Sequence, residues 1–288
     1  MIIVTGATGQ LGRAIVHKLV GRVPADQVGA SVRDLGKAAD LEAICARVRQ
    51  GDFAKPESLG HAFEGVTQLL IVSSNAAAYG GDTLAQHRSA IDAARAAGAR
   101  RIIYTSHMGV SGTSAFPPMR DHAATETMLA QSGIAWTALR NGFYATSGIS
   151  LMGDALNTGL IEAPEDGKVS WTAHADLAEA AAILLANEGQ YDGPTPPLTG
   201  SQALDLSDLA RVASDLLGRA VRREVITDEG LRAKIAARGA PPAVADIMLG
   251  LYRASRRGEF AAVDPTLERL LGRRPISMQD LVAGKVKR

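Results

Sequence analysis

A single cysteine, Cys45, stands in the 288 residues, so no disulfide can close within the chain. A reducing, cytoplasmic location is therefore expected. Cys45 itself reads either as a reactive thiol or as a small apolar filler on a helix with Leu41 and Ile44. Charge of one sign is also lacking. The formal net charge is +1, which leaves no basic field for nucleic acid. No apolar run approaches the roughly 18 residues needed to span a bilayer. No basic leader with a cleavage site precedes the first apolar segment, and no internal repeat or low-complexity tract is visible. These absences point to a soluble α/β protein acting on a small molecule, neither in a membrane nor on nucleic acid.

What the chain has is a glycine turn. Ile2-Ile3-Val4-Thr5 is a short apolar run of the kind that forms a buried strand. Gly6-Ala7-Thr8-Gly9-Gln10-Leu11-Gly12 follows, and residues 10–20 read as a helix. Strand, Gly-x-x-Gly-x-x-Gly and helix together seat a dinucleotide pyrophosphate on a helix N-terminus. One glycine allows the sharp turn, one lets backbone approach phosphate, and one lets helix and strand pack closely.

The first half alternates strands and helices. Strands are expected at 28–32, 46–50, 68–73, 101–105 and 134–139, with the clearest helix over 82–97 and Gly98 just past it. Such alternation predicts a parallel sheet covered on both faces, hence a doubly wound Rossmann fold. The second half is helix-rich, with helices at 173–186, 206–217, 228–237 and 242–256. Short strands are expected at 169–171 and 221–226, and a loop over 189–197. We expect a Rossmann domain over 1–150, with 173–187 packing back onto it, and a smaller lobe over 151–288.

Open α/β sheets bind ligands beyond the carboxyl ends of their strands. Arg33 lies there, 21 positions after Gly12. NAD sites place a carboxylate near that point, whereas NADP sites place an arginine for the 2′-phosphate. Arg33 thus favours NADPH, while Asp34 keeps NADH open. Asp52 is read as a partner for adenine with Phe53 flanking the ring, or as a turn former. Ser73, Ser74 and Asn75 are expected along the ribose and nicotinamide end. The fifth strand end offers Thr105, Ser106 and His107, and the sixth offers Arg140, Asn141, Gly142, Phe143 and Tyr144.

Residues 118–130 read as a helix with His122 and Glu126 on one face. They form a surface pair, a helix start or an active-site group. A near-neutral histidine would suit proton donation. No third ligand accompanies them, so no metal site is expected.

Together, Val4–Gly12, Val32-Arg33, Tyr104-Thr105-Ser106, His122-x-x-Thr125-Glu126 and Leu139-Arg140-Asn141-Gly142-Phe143-Tyr144 resemble the NmrA-like atypical short-chain dehydrogenase/reductases. Within that group the likeness is to the bacterial second-type NAD(P)H:quinone oxidoreductases and the triphenylmethane reductases. Leu198-Thr199-Gly200 and Gly239-x-Pro241 extend it over nearly the whole chain. The resemblance implies NADPH in the cleft, contacted by Gly6, Thr8, Gly9, Gln10, Leu11, Arg33, Ser73, Ser74, Asn75, Arg140 and Asn141. It implies two-electron reduction of a quinone or similar electron-poor aromatic. A non-catalytic redox sensor of the NmrA type and a reductase of triphenylmethane or azo dyes are the alternatives. Oligomeric state is left open, with a homodimer as one reading.

The wider superfamily carries Tyr-x-x-x-Lys after the fifth strand, and this sequence has none. His122 and Glu126 stand in those places. Alcohol–ketone interconversion wants a phenol to move the hydroxyl proton. A quinone needs the hydride more than the proton, so positioning can suffice. His122, Tyr104 and Tyr144 are the candidate assistants, and the sequence does not choose between them.

Overall fold

A computed structural model describes residues 1–286. Six strands follow in order: β1 (Ile2–Thr5), β2 (Val28–Val32), β3 (Arg47–Gln50), β4 (Gln68–Ile71), β5 (Arg101–His107) and β6 (Ala135–Asn141). The helices between them are α1 (Gln10–Leu19), α2 (Ala39–Glu42), α3 (Leu59–Phe63), α4 (Thr83–Ala96) and α5 (Pro117–Ala130). The strands form one parallel sheet in the order β3, β2, β1, β4, β5, β6, closed at its edge by Gly193–Pro194. Helices cover both faces, which is the Rossmann-like architecture.

The sheet follows from its strand sequences. β1, β2, β4 and β5 are buried throughout, as parallel strands sandwiched between helices must be. One face packs Ile3, Leu69, Ile71, Ile102 and Tyr104 against Phe63, Ile91 and Leu129. Leu11, Ile15, Val16 and Leu19 of α1 are buried as well, and α1 packs against the alanine-rich helix His174–Ala186. The strand order reverses between β1 and β4. That switch point opens a crevice beyond their carboxyl ends.

The chain divides into two compact units. One comprises residues 1–107, 121–140 and 174–196, and the other residues 108–120, 141–173 and 197–286 of those described. The second unit pairs Leu160–Pro164 with Arg222–Ile226 and Phe143–Tyr144 with Trp171–Thr172, both parallel. Its core is aromatic: Phe143 meets Trp171 and Phe260 edge to face, at centroid distances of 5.5 and 5.1 Å. The helix Leu206–Leu217 starts with a capping box between Asp205 and Asp208.

Several expectations need correction. The loop over 189–197 contains the edge strand Gly193–Pro194, paired with Thr137–Ala138. A proline is tolerated there because an edge strand has a free side. β5 runs on to His107, so Ser106 and His107 lie within the strand rather than beyond it. Residues 145–151 form a helix and Leu160–Pro164 a strand that the pattern did not announce. Helices at 266–271 and 278–286 also went unread. α2 ends at Glu42, so Cys45 sits in the turn after it, with its thiol pushed up to about 11 by burial. Among the described residues, no helix is long and apolar enough to cross a membrane.

Candidate active site

The glycine turn is built as its spacing requires. Gly6 has φ +58°, which favours glycine, and its carbonyl accepts from Gly9 N–H at 2.9 Å. Gly9 stands at the N-cap of α1 in extended conformation, and no side chain caps the helix. The first-turn N–H groups are thereby left for an anion. Gly12 lies where helix and turn touch. A Cβ there would overlap the Gly6 carbonyl, 2.9 Å from its carbon and 3.1 Å from Ala7 Cα.

The crevice beyond β1 and β4 holds about 710 Å³, open solvent included. It is lined by Gly6, Thr8, Gly9, Arg33, Asp52, Phe53, Ser73, Ser74 and Asn75 from the sequence-predicted set, and by Gly51, Val72 and Gln86 in addition. Gln10, Leu11, Arg140 and Asn141 are not among its walls. The Leu11 side chain is buried in the core at 5% exposure, so only its backbone can face a ligand.

At the rim, Arg33 and Asp34 separate. The Asp34 carboxylate accepts from Gly36 N–H at 3.0 Å and pairs with Lys37 at 3.7 Å, capping its own turn. Arg33 is exposed, and among the described residues its guanidinium has no carboxylate or hydrogen-bond partner. Arg13 is held by Asp40 and by the Lys37 carbonyl. A crevice with one unengaged guanidinium at its rim suits a ribose bearing a 2′-phosphate. Asp52 forms the turn anticipated as one of its two readings, Oδ1 accepting from Ala54 N–H at 3.0 Å, and the residue also lines the crevice.

On the β4 side, threonine hydroxyls replace the sheet ladder. Val72 N–H donates to Thr5 Oγ1 and Ser73 N–H to Thr105 Oγ1, at 3.0 and 2.8 Å. Ser74 N–H donates to His87 Nε2 at 2.8 Å, and Ser74 Oγ to Gln86 Oε1 at 2.6 Å. Sequence reading missed His87. The signal was its place on the apolar face of α4 with Ala90, Ile91 and Ala94.

His122 and Glu126 do not act as a pair. The Tyr104 hydroxyl lies 2.7 Å from His122 Nδ1, and the His107 ring stacks on His122 at 6.1 Å. Sequence reading gave His122 an ordinary, near-neutral imidazole. Burial, and then the neighbouring His107 and His87, hold its pKa well below the ordinary histidine value. Tyr104 is fully buried. Glu126 turns the other way, accepting from Ser106 Oγ at 2.6 Å and from Arg140. Tyr144, in the second unit, is bonded to Asn141 and pushed up to about 12 by burial.

A doubly wound parallel sheet with a glycine turn at its switch point defines an NAD(P)-binding protein of Rossmann type. Residues 6–188 match the model of the NAD(P)H-binding family. Over 284 residues the chain is 35% identical to quinone oxidoreductase 2 of Escherichia coli K12, covering 98% of both chains. The crystal structure of that quinone oxidoreductase with NADPH superposes with a TM-score of 0.90 at 34% identity, over 100% of this chain and 99% of the other. The triphenylmethane reductase of Citrobacter sp. with NADP(H) gives 0.89 at 31%, over 99% and 100%. An NAD(P)H azoreductase of Xenophilus azovorans is 30% identical over 275 residues, 95% of this chain and 93% of that one. The chain belongs to the NAD(P)H-binding, NmrA-like family.

Proposed function

We propose that the protein is an NADPH-dependent reductase of quinones or similar electron-poor aromatic acceptors. The observation that carries this reading is the engagement of His122 with Tyr104 and of Glu126 with Arg140, at the two places where alcohol dehydrogenases of the wider superfamily put tyrosine and lysine. Neither is disposed to move a hydroxyl proton, so the fitting acceptor is one that needs chiefly a hydride. NADPH when bound supplies that hydride. The full-length likeness to a quinone oxidoreductase, an azoreductase and a triphenylmethane reductase supports the same reading.

The chain's own residues orient and hold. In this reading the turn at Gly6, Thr8 and Gly9 and the N-terminus of α1 take the pyrophosphate. Arg33 takes the 2′-phosphate, Asp52 and Phe53 flank the adenine, and Ser73, Ser74 and Asn75 line the ribose and nicotinamide end. A cytoplasmic location belongs to the reading, supported by the single cysteine.

The test is loss of NADPH absorbance when purified protein meets a panel of benzoquinones, naphthoquinones, azo dyes and triphenylmethane dyes. Turnover with a quinone is expected. Turnover with dyes alone moves the substrate class. Tight NADP(H) binding with no turnover on any acceptor replaces the reductase with a redox sensor.

A further inference from the structure

His87 is buried at 1% exposure on α4, outside the set of residues that line the crevice. Its ring bridges two parts of the same unit. Nε2 lies 2.8 Å from Ser74 N, and Nδ1 lies 2.8 Å from Thr125 Oγ1. The hydrogen-bond directions are forced. A backbone N–H only donates, so Nε2 is the acceptor and carries no proton. Nδ1 therefore carries it and donates to Thr125 Oγ1. The Thr125 hydroxyl in turn gives its own proton to the Asp121 carbonyl at 2.7 Å. Thr125 is fully buried, and the Tyr104 ring meets His87 edge to face at 5.3 Å. Every donor in this chain has its acceptor, and only the neutral Nδ1–H imidazole satisfies it.

The consequence lies in what is joined. One end is the backbone of Ser74, in the middle of the segment that walls the crevice beyond the pyrophosphate turn. The other end is α5, one residue from Glu126 and three from His122. The β4 ladder ends at Ile71, so the 73–75 segment has no strand neighbour to hold it. Its register depends on side chains instead.

The geometry points to His87 as a positioning residue that ties the cofactor-facing segment 73–75 to α5 and so sets NADPH affinity. This rests on the reading of the crevice as the NADPH site. His87 touches neither cofactor nor acceptor and acts through the Ser74 backbone. It is a neutral relay, with its pKa lowered to about 4 by burial.

Three replacements separate the role from general packing. Glutamine can place its amide oxygen where Nε2 lies and keep the Ser74 bond. Asparagine reaches only the Nδ1 position and loses it. Leucine removes both. Amide hydrogen exchange at Ser74, read without cofactor, measures the tether. Titration of NADPH by its fluorescence measures the outcome. His87→Leu and His87→Asn are expected to speed Ser74 exchange and to weaken NADPH roughly tenfold, one ordinary hydrogen bond's worth. His87→Gln should stay within about threefold of the parent in both readouts, since the bond to Ser74 is kept. Should His87→Leu fail to fold, Thr125→Val removes the Nδ1 acceptor at constant shape and is expected to loosen Ser74 in the same direction. Unchanged Ser74 exchange in His87→Asn, or a His87→Gln as impaired as His87→Asn, overturns the proposal. Exchange that follows the expected order in a protein that binds no NADPH upholds the tether and overturns the reading of the crevice.

Discussion

Glu126 holds Arg140 through two hydrogen bonds, from Nη2 to Oε2 at 2.8 Å and from Nε to Oε1 at 3.2 Å. The carboxylate is buried at 8% exposure and also accepts from Ser106 Oγ. Three parallel lessons of the site meet in this pair. The Glu126 carboxylate, which sequence reading left open as an active-site group, is taken up by Arg140 and Ser106. An arginine assigned to the cofactor is engaged elsewhere. β5, α5 and β6 are joined at the carboxyl edge of the sheet by charge.

Replacing Glu126 by glutamine should therefore lower stability more than it changes chemistry. One side of a partly buried ion pair is removed while the hydrogen-bonding shape stays. A loss of about 1–3 kcal/mol is expected, the Arg140 side chain being too exposed for the full penalty of a buried pair. Urea unfolding measures it. Turnover abolished at unchanged stability would make Glu126 a catalytic base instead.

Arg33→Ala should discriminate between the two cofactors. On the proposed reading the lost contact is a charged one to a 2′-phosphate, which NADH lacks. The kcat/KM for NADPH should fall by about 10–100-fold, while that for NADH barely moves. Asp34 offers no compensation, since its carboxylate caps the turn at Gly36. Equal losses with both cofactors would remove the assignment.

Gly12→Ala should harm both fold and binding. The added methyl meets the Gly6 carbonyl and Ala7 Cα, backbone atoms that cannot step aside as a side chain does. About 1–3 kcal/mol of stability should be lost, together with the thermal shift NADPH gives the parent protein. Gly60→Ala is the control. A Cβ there meets nothing within 4 Å on α3, so stability should hold or rise by up to about 1 kcal/mol. Similar midpoints for both variants in a thermal melt would show that the turn yields.

The glycine turn, β1, β2 and the helices at 206–217, 228–237 and 242–256 were legible because apolar periodicity and capping residues are local signals. Arg33 was legible because the distance from loop to strand end is fixed by the βαβ unit. What was hidden is pairing. Whether Asp34 or Arg33 faces the crevice depends on a turn at Gly36. Whether His122 or Glu126 is available depends on Tyr104, Ser106 and Arg140, which lie 14 to 20 residues away in sequence. His87 was hidden for the same reason, its two partners lying 13 and 38 residues away. The edge strand Gly193–Pro194 was masked by the glycine and proline that read as loop.

The three histidines of this cluster give the protein a defined acid sensitivity. Burial lowers His87 to about 4 and His107 to about 3, and His122 is depressed as well. In the unfolded chain all three titrate near an ordinary 6.5. A base whose folded pKa is depressed binds its proton first in the unfolded state. Protonation therefore favours unfolding. Stability is complete above the unfolded value and falls as pH drops below it, toward the folded values. Each fully neutral buried histidine loses about 1.4 kcal/mol per pH unit in that window. Urea midpoints measured from about pH 7.5 down to about pH 5 read the effect, to which the half-buried His174, also depressed, contributes in the same direction. His87→Gln, which has no proton to gain, should remove roughly a quarter to a third of the slope. A midpoint flat across that range would mean that these imidazoles are charged or accessible in the folded protein, contrary to the donor–acceptor chain from Ser74 through His87 to Thr125.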